Sequence, residues 1–114
     1  MGGYPVARVV ARRTFGALRR PAGRGRNGPI SASFSPISAP DGRPQVAYAI
    51  SKRCGGAVER NLLRRRLRAA VAARAEELTP GAYLVRTDPE AIELPYAELA
   101  AAALRAMAQA SAKS

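Results

Sequence analysis

Three features of the sequence predict a single small α/β (α+β) domain in the order helix, strand, strand, helix, strand, helix. The chain has 114 residues, of which 47% are hydrophobic, a length and composition that suit one domain with one core. Short stretches alternate apolar and polar residues with period two, and longer ones repeat with helical period. Pro- and Gly-containing segments separate them.

The elements follow in chain order. Residues 7–20 (ARVVARRTFGALRR) favour a helix, with Val10, Phe15 and Leu18 as packing residues and Pro21 and Gly23 ending it. The GRGRNGP segment that follows reads as a loop. Residues 30–38 set Ile30, Ala32 and Phe34 against Ser31, Ser33 and Ser35, the period of a half-buried strand, which Pro36 confines to a sheet edge or an early end. Pro40, Asp41 and Gly42 suit a turn, and residues 45–51 (QVAYAIS) form a second strand, so these two strands are expected to pair as a hairpin. After a connection at residues 52–56, a helix is predicted from about Ala57 to Glu77, capped by Gly56, with Glu59 in its first turn and Pro80 beyond its end. Residues 82–87 (AYLVRT) are a third strand. A loop then leads to an Ala-rich helix from Tyr96 to about Ala110, with Leu99, Ala103, Met107 and Ala110 on its inner side.

The residues that are missing narrow the chemistry. There is no His and no Trp, and Cys54 is the single thiol, so disulfide frameworks, Cys/His zinc sites and His-dependent triads are excluded. No apolar run approaches the 18 or so residues of a membrane span, and Arg8, Arg12 and Arg13 interrupt the N-terminal stretch where a signal peptide would be apolar. A soluble, cytoplasmic protein of a reducing compartment is expected. Cys54 reads as a small buried filler.

The formal charge is +11, from 19 Lys and Arg against 8 Asp and Glu. Residues 1–68 hold 15 of those bases and only two acids, Asp41 and Glu59, whereas residues 69–114 are slightly acidic. The excess forms two blocks: residues 1–28, with seven Arg and no acid, and residues 52–68. Self-repulsion on this scale costs stability, and a polyanionic partner relieves it. On a helical wheel starting at Val58, Arg60, Asn61, Arg64, Arg65 and Arg68 fall between roughly 200° and 340°. Leu63, Leu67, Ala70 and Val71 lie beside them between roughly 120° and 220°. This helix therefore buries one side and offers guanidiniums on the next, each able to take two phosphate oxygens. Leu62, Glu59 and Arg66 stand outside that two-face pattern.

The segment Ser51–Arg68, SKRCGGAVERNLLRRRLR, closely resembles the signature of the bacterial ribonuclease P protein component. In that signature a strand ends in Ser-Lys-Lys/Arg, a Gly-containing connection and Ala-Val follow, and the helix carries Arg-Asn-x-x-Lys/Arg-Arg-x-x-Arg. Arg60, Asn61, Arg64, Arg65 and Arg68 match the last motif position by position. Weaker likeness extends to the chain length, Phe15, the PGAYLV strand and the closing Leu94, Tyr96, Glu98, Leu99 pattern, so it spans nearly the whole chain, residues 1–114, as one domain.

The resemblance implies a fold in which the basic helix joins two parallel strands by a left-handed crossover, against the usual right-handed rule. It implies a protein subunit that assists a catalytic RNA in removing the 5′ leader of precursor tRNA. The basic helix and its connection (Lys52, Arg53, Arg60, Asn61, Arg64, Arg65, Arg68) would meet the catalytic RNA, and a cleft between the sheet and the first helix would take the single-stranded leader. For that cleft Phe34 is the favoured stacking residue, followed by Phe15, Arg19 and Ser33, whereas Tyr48 and Tyr83 are expected in the core. Arg19 stands where the family commonly has a second aromatic, which exchanges stacking for a cationic contact. No catalytic or metal-binding side chain is expected. Mg²⁺ would sit at the RNA active site on phosphate oxygens, without the protein as sole ligand. The first dozen residues lack the family's usual start; residues 1–7 and 111–114 are expected to be disordered without RNA.

Precursor tRNA and the catalytic RNA are thus the expected partners, with neither DNA nor a membrane. A ribosomal-type structural RNA-binding protein shares this composition, but would not stimulate a catalytic RNA. A DNA-binding module is disfavoured because a strand separates the candidate helices of a helix-turn-helix. A membrane-surface peptide would need an apolar stripe free of Arg.

Overall fold

The computed structural model describes residues 5–113. Five strands, β1 (Ala7–Arg8), β2 (Gly23–Asn27), β3 (Ile30–Ser35), β4 (Gln45–Ile50) and β5 (Ala82–Thr87), form one sheet in the order β1-β4-β5-β3-β2. Three helices, α1 (Arg12–Arg19), α2 (Ala57–Ala73) and α3 (Tyr96–Ala112), flank it. Among the described residues no helix is long and apolar enough to cross a membrane.

The main core lies between the sheet and the α2/α3 pair. Ile30, Ala32 and Phe34 of β3, Val46 and Ile50 of β4, and Tyr83 and Val85 of β5 meet Leu63, Leu67 and Val71 of α2 and Leu99, Ala103, Met107 and Ala110 of α3. These are the inward residues that helical and period-two patterning predict. A smaller cluster of Val9, Leu18 and Ala82, with Ala47 and Leu84 against it, fixes α1 to the opposite face. The sheet is therefore a middle layer, covered fully on one side and partly on the other.

The predicted hairpin of the 30–38 and 45–51 segments does not form. β5 inserts between them, running antiparallel to β3 and parallel to β4, and α2 is the crossover of a parallel β4-α2-β5 unit. The nine residues between β3 and β4 include Pro36, Pro40 and Pro44, so this connection is too long and too poor in N–H donors for a tight turn. The hairpin partner of β3 is β2, formed by the GRGRN segment expected to be loop, with Asn27 opposite Ile30 across Gly28 and Pro29. Gly28 has φ +57°, the left-handed geometry that makes Asn-Gly a hairpin signal. Gly23 and Gly25 face α3 so closely that a Cβ on either would collide with the carbonyl oxygen of Ala110 or Ala106. Glycine here serves close packing, while Arg24 and Arg26 point to the other face.

Helix α1 starts at Arg12, later than residue 7, because Ala7 and Arg8 pair with Gln45 and Val46 as β1. The later start shifts its inner face to Thr14 and Leu18 and puts Val9 in the small cluster, leaving Val10 77% exposed. Helix α2 ends at Ala73, ahead of the expected Glu77; a turn of 3-10 helix over Ala75–Glu77 follows, with Arg74 ion-paired to Glu77 at 2.8 Å. Of the termini expected to be disordered, residues 1–4 and 114 lie outside the described residues, Ala7 belongs to β1, and α3 runs through Ala112.

Candidate RNA interface

The N-terminus of α2 is set by a local cap: Glu59 Oε1 accepts the Gly56 N–H at 2.9 Å, satisfying a donor that the helix leaves free. Gly55, at φ +117°, makes the reversal from the preceding 3-10 turn (Lys52–Cys54), where Lys52 and Arg53 are exposed. Cys54 anchors that turn. It is buried, and its thiol donates to the Thr87 carbonyl at 3.7 Å.

With Leu63, Leu67, Ala70 and Val71 buried, the arginines emerge beside the sheet. Asn61 and Arg65 are exposed, as is Arg68, while Arg60 and Arg64 are half-buried. Arg64 Nη1 donates to Asn61 Oδ1 at 3.0 Å, so the Asn of the motif orients a guanidinium one turn on. Arg60 Nε is buried with no acceptor among the described residues, a donor that a phosphate oxygen would satisfy. Arg66 turns the other way. It donates to the Leu94 carbonyl at 3.2 Å and its guanidinium lies 5.9 Å from the centroid of the Tyr96 ring, fastening α2 to the entry of α3. The wheel left Glu59 and Arg66 unassigned; one caps the helix and the other docks it.

Strand β1 covers only Gln45 and Val46, so the rest of β4 is an open sheet edge. Around this edge Arg64 and Arg68 reach a cleft of about 430 Å³ whose floor is Ala47, Ala49 and Leu84 and whose opposite wall is Phe15 of α1. Arg8, Val9, Val46 and Tyr48 complete its lining. The cleft thus joins an aromatic ring, 40% exposed, to cations of the basic helix across a floor of small and aliphatic side chains. Such a site accepts a base face and its phosphate together.

Phe34, favoured from the sequence as the stacking residue, is not in this cleft. It is 1% exposed and packs on the α2/α3 side of the sheet, its ring centroid 5.0 Å from that of Tyr83. Ile30, Ala32 and Phe34 form the buried side of β3, the face that α2 and α3 cover. Tyr83 is buried as expected, donating to the Thr79 carbonyl at 2.6 Å, and Tyr48 is half-buried against the core. Arg19 and Ser33 lie on the α1 side, in a separate groove towards β2. Arg8, Ala47, Ala49 and Leu84 were not singled out from the sequence; the period-two phase of β4 and β5 was the available signal for the last three.

The carboxylates are engaged elsewhere. Asp41 is held below its ordinary pKa, first by the backbone N–H of Arg43, and Glu77 is lowered by its hydrogen bonds from Arg74. Asp88 meets Arg26 at 3.1 Å. Among the described residues no three His, Cys, Asp or Glu side chains converge as metal ligands, so these residues do not fit a Mg²⁺ ion held by protein alone.

Comparison with known proteins gives a family and a fold. The sequence model of the family described as Ribonuclease P matches residues 5–111. A ribonuclease P protein component of Thermobifida fusca is 41% identical over 80% of this chain and 68% of its own length. One from Beutenbergia cavernae is 44% identical over 49% of this chain and 48% of its own. Among solved structures, the RNase P protein of Thermotoga maritima superposes with a TM-score of 0.76 at 16% identity, covering 88% of this chain and 94% of that one. The Staphylococcus aureus RNase P protein gives 0.72 at 15% identity, covering 96% of both chains. At those identities the structural likeness speaks for the fold.

Proposed function

The chain belongs to the ribonuclease P protein family, and from that premise we propose how it serves as a subunit of this tRNA-processing endoribonuclease. Its α2 face, with Lys52 and Arg53 before it, binds the phosphates of the catalytic RNA. The adjoining cleft holds the single-stranded 5′ leader of precursor tRNA. The observation that carries this reading is the cleft itself, with Phe15 on one wall and Arg64 and Arg68 on the other.

The division of labour follows from the side chains. The protein contributes charge, one exposed ring and a shaped floor, which bind and orient RNA. Hydrolysis belongs to the RNA, whose phosphate oxygens hold Mg²⁺ in this reading. The setting is the cytoplasm, where precursor tRNA is processed.

The test is reconstitution. The purified protein is added to a bacterial ribonuclease P RNA and precursor tRNA at a Mg²⁺ concentration where the RNA alone is inactive. Leader release that neither component gives alone is the expected result. Tight RNA binding with no stimulation of cleavage would instead make this a structural RNA-binding protein.

A further inference from the structure

A second cavity, of about 690 Å³, opens on the α2 side of the β1–β4 edge. Val46 and Tyr48 of β4 form its floor. Both meet the main core on the α2 face, whereas Ala47, between them, packs with the α1 cluster on the other. Val6 and Val10 flank the cavity from the β1 side, Ala72 from α2 and Pro40 from the β3–β4 connection. Its volume and mainly apolar lining with one aromatic ring are those of a small-ligand site, which spans roughly 300–1,000 Å³. Val10, 77% exposed, is an apolar side chain that the fold leaves uncovered there.

Three cations and one acid also line this cavity. Asp41 and Arg43 are paired at 2.7 Å and neutralise each other. Arg8 and Arg68 are exposed and have no acidic or hydrogen-bonding partner among the described residues. Arg68 is also the last of the row Arg60, Arg64, Arg68 along α2, so the cavity continues the face that meets RNA. An apolar chamber with an aromatic floor and free guanidiniums beside it suits a planar heterocycle joined to an anion. A protein segment would leave both guanidiniums without a countercharge unless it brought carboxylates of its own.

We propose that this cavity receives one unpaired nucleobase of the catalytic RNA, extruded from its strand, with the ring against Tyr48 and the flanking phosphates on Arg68 and Arg8. The inference rests on the reading of α2 as the face that binds the catalytic RNA, and it adds a base contact to a surface that otherwise holds phosphates. A base that is already unpaired costs least to unstack, so the socket selects a bulge or loop over a regular helix.

The test compares the natural chain with Ala72→Leu, because Ala72 lines this cavity and not the Phe15 cleft. Affinity for a bacterial ribonuclease P RNA is measured with and without leader-bearing precursor tRNA, and chemical footprinting of the same complexes reports base and backbone protection. The natural chain shields the base of an unpaired nucleotide. Ala72→Leu, which fills the cavity, leaves that base reactive and weakens binding of the catalytic RNA about tenfold, while backbone protection along α2 persists. Val10→Asp blocks the same cavity from an exposed position and loses the same base protection, and Tyr48→Phe, which keeps the ring, retains it. Unchanged affinity and base reactivity in both blocking variants overturns the proposal. A loss confined to leader-bearing precursor tRNA overturns it as well, by giving the cavity to the substrate, as does a urea midpoint that falls with affinity in both variants. If the natural chain protects no part of the catalytic RNA, the reading of α2 has failed, a result distinct from failure of the cavity alone.

Discussion

The rings of Phe34 and Tyr83 lie 5.0 Å apart, tilted by 57°, on adjacent strands β3 and β5 and wholly inside the α2/α3 core. The contact is a tilted aromatic pair of the kind that adds to burial, and it assigns Phe34 to stability. Phe34→Ala should therefore cost about 3–5 kcal/mol, measured by urea unfolding, with the folded protein retaining its affinity for leader-bearing RNA. A loss of leader affinity at unchanged stability would return Phe34 to the binding surface.

Phe15 has the opposite standing. Its ring is partly exposed on the cleft wall, so Phe15→Ala should weaken binding of leader-bearing precursor tRNA by about 1–3 kcal/mol. Unfolding free energy should shift by no more than about 0.5 kcal/mol, and affinity for mature tRNA should stay the same. Titration of the two tRNAs against the reconstituted complex makes the comparison.

The outward arginines of α2 should appear in the salt dependence. If Arg60, Arg64, Arg65 and Arg68 each contact a phosphate, log affinity for the catalytic RNA falls with log salt at a slope of roughly −3 to −4. Arg65→Ala should reduce the magnitude of that slope by about one. Arg66→Ala should leave it nearly unchanged and lower stability instead, because Arg66 is spent on Leu94 and Tyr96.

Two glycines separate packing from backbone freedom. A methyl group on Gly25 would collide with the Ala106 carbonyl oxygen, so Gly25→Ala should destabilise the β2–α3 contact by about 1–3 kcal/mol. Gly16, in α1, has nothing within 4 Å of an added Cβ, and Gly16→Ala should stabilise by about 0.5–1 kcal/mol. Denaturant midpoints of the two variants should move in opposite directions.

Alkaline stability should depend on Tyr83, whose phenol pKa is pushed up by burial. The neutral form is favoured in the fold, so this stabilisation is complete below the unfolded-state pKa of about 10 and is lost as pH rises through the higher folded value. Melting temperature should drop in that window for the natural chain, and Tyr83→Phe should flatten the drop.

Much of this architecture was legible in residue patterns. The inner faces of α2 and α3 follow helical periodicity at Leu63, Leu67, Leu99 and Met107, and β5 matches its alternating segment from Ala82 to Thr87. Strand β2 was hidden because Gly and Asn are poor strand formers, and its glycines are explained only by the approach of α3. The pairing of β4 was hidden for another reason. Adjacent segments commonly pair, and only the pairing of β5 with both β3 and β4 shows that it takes the middle position. At the site, motif spacing located the α2 arginines, but period-two alternation alone does not say which sheet face is covered. Phe34 was therefore read onto the wrong side, and the small residues of the cleft floor carried no chemical signal.

The middle position of β5 also bears on how the molecule comes into being. A ribosome finishes the charged helix before it has made the strand that supports it, and α3, which covers the same core, emerges later still. Translation alone therefore withholds the properly oriented arginines until β5 and α3 have both been made.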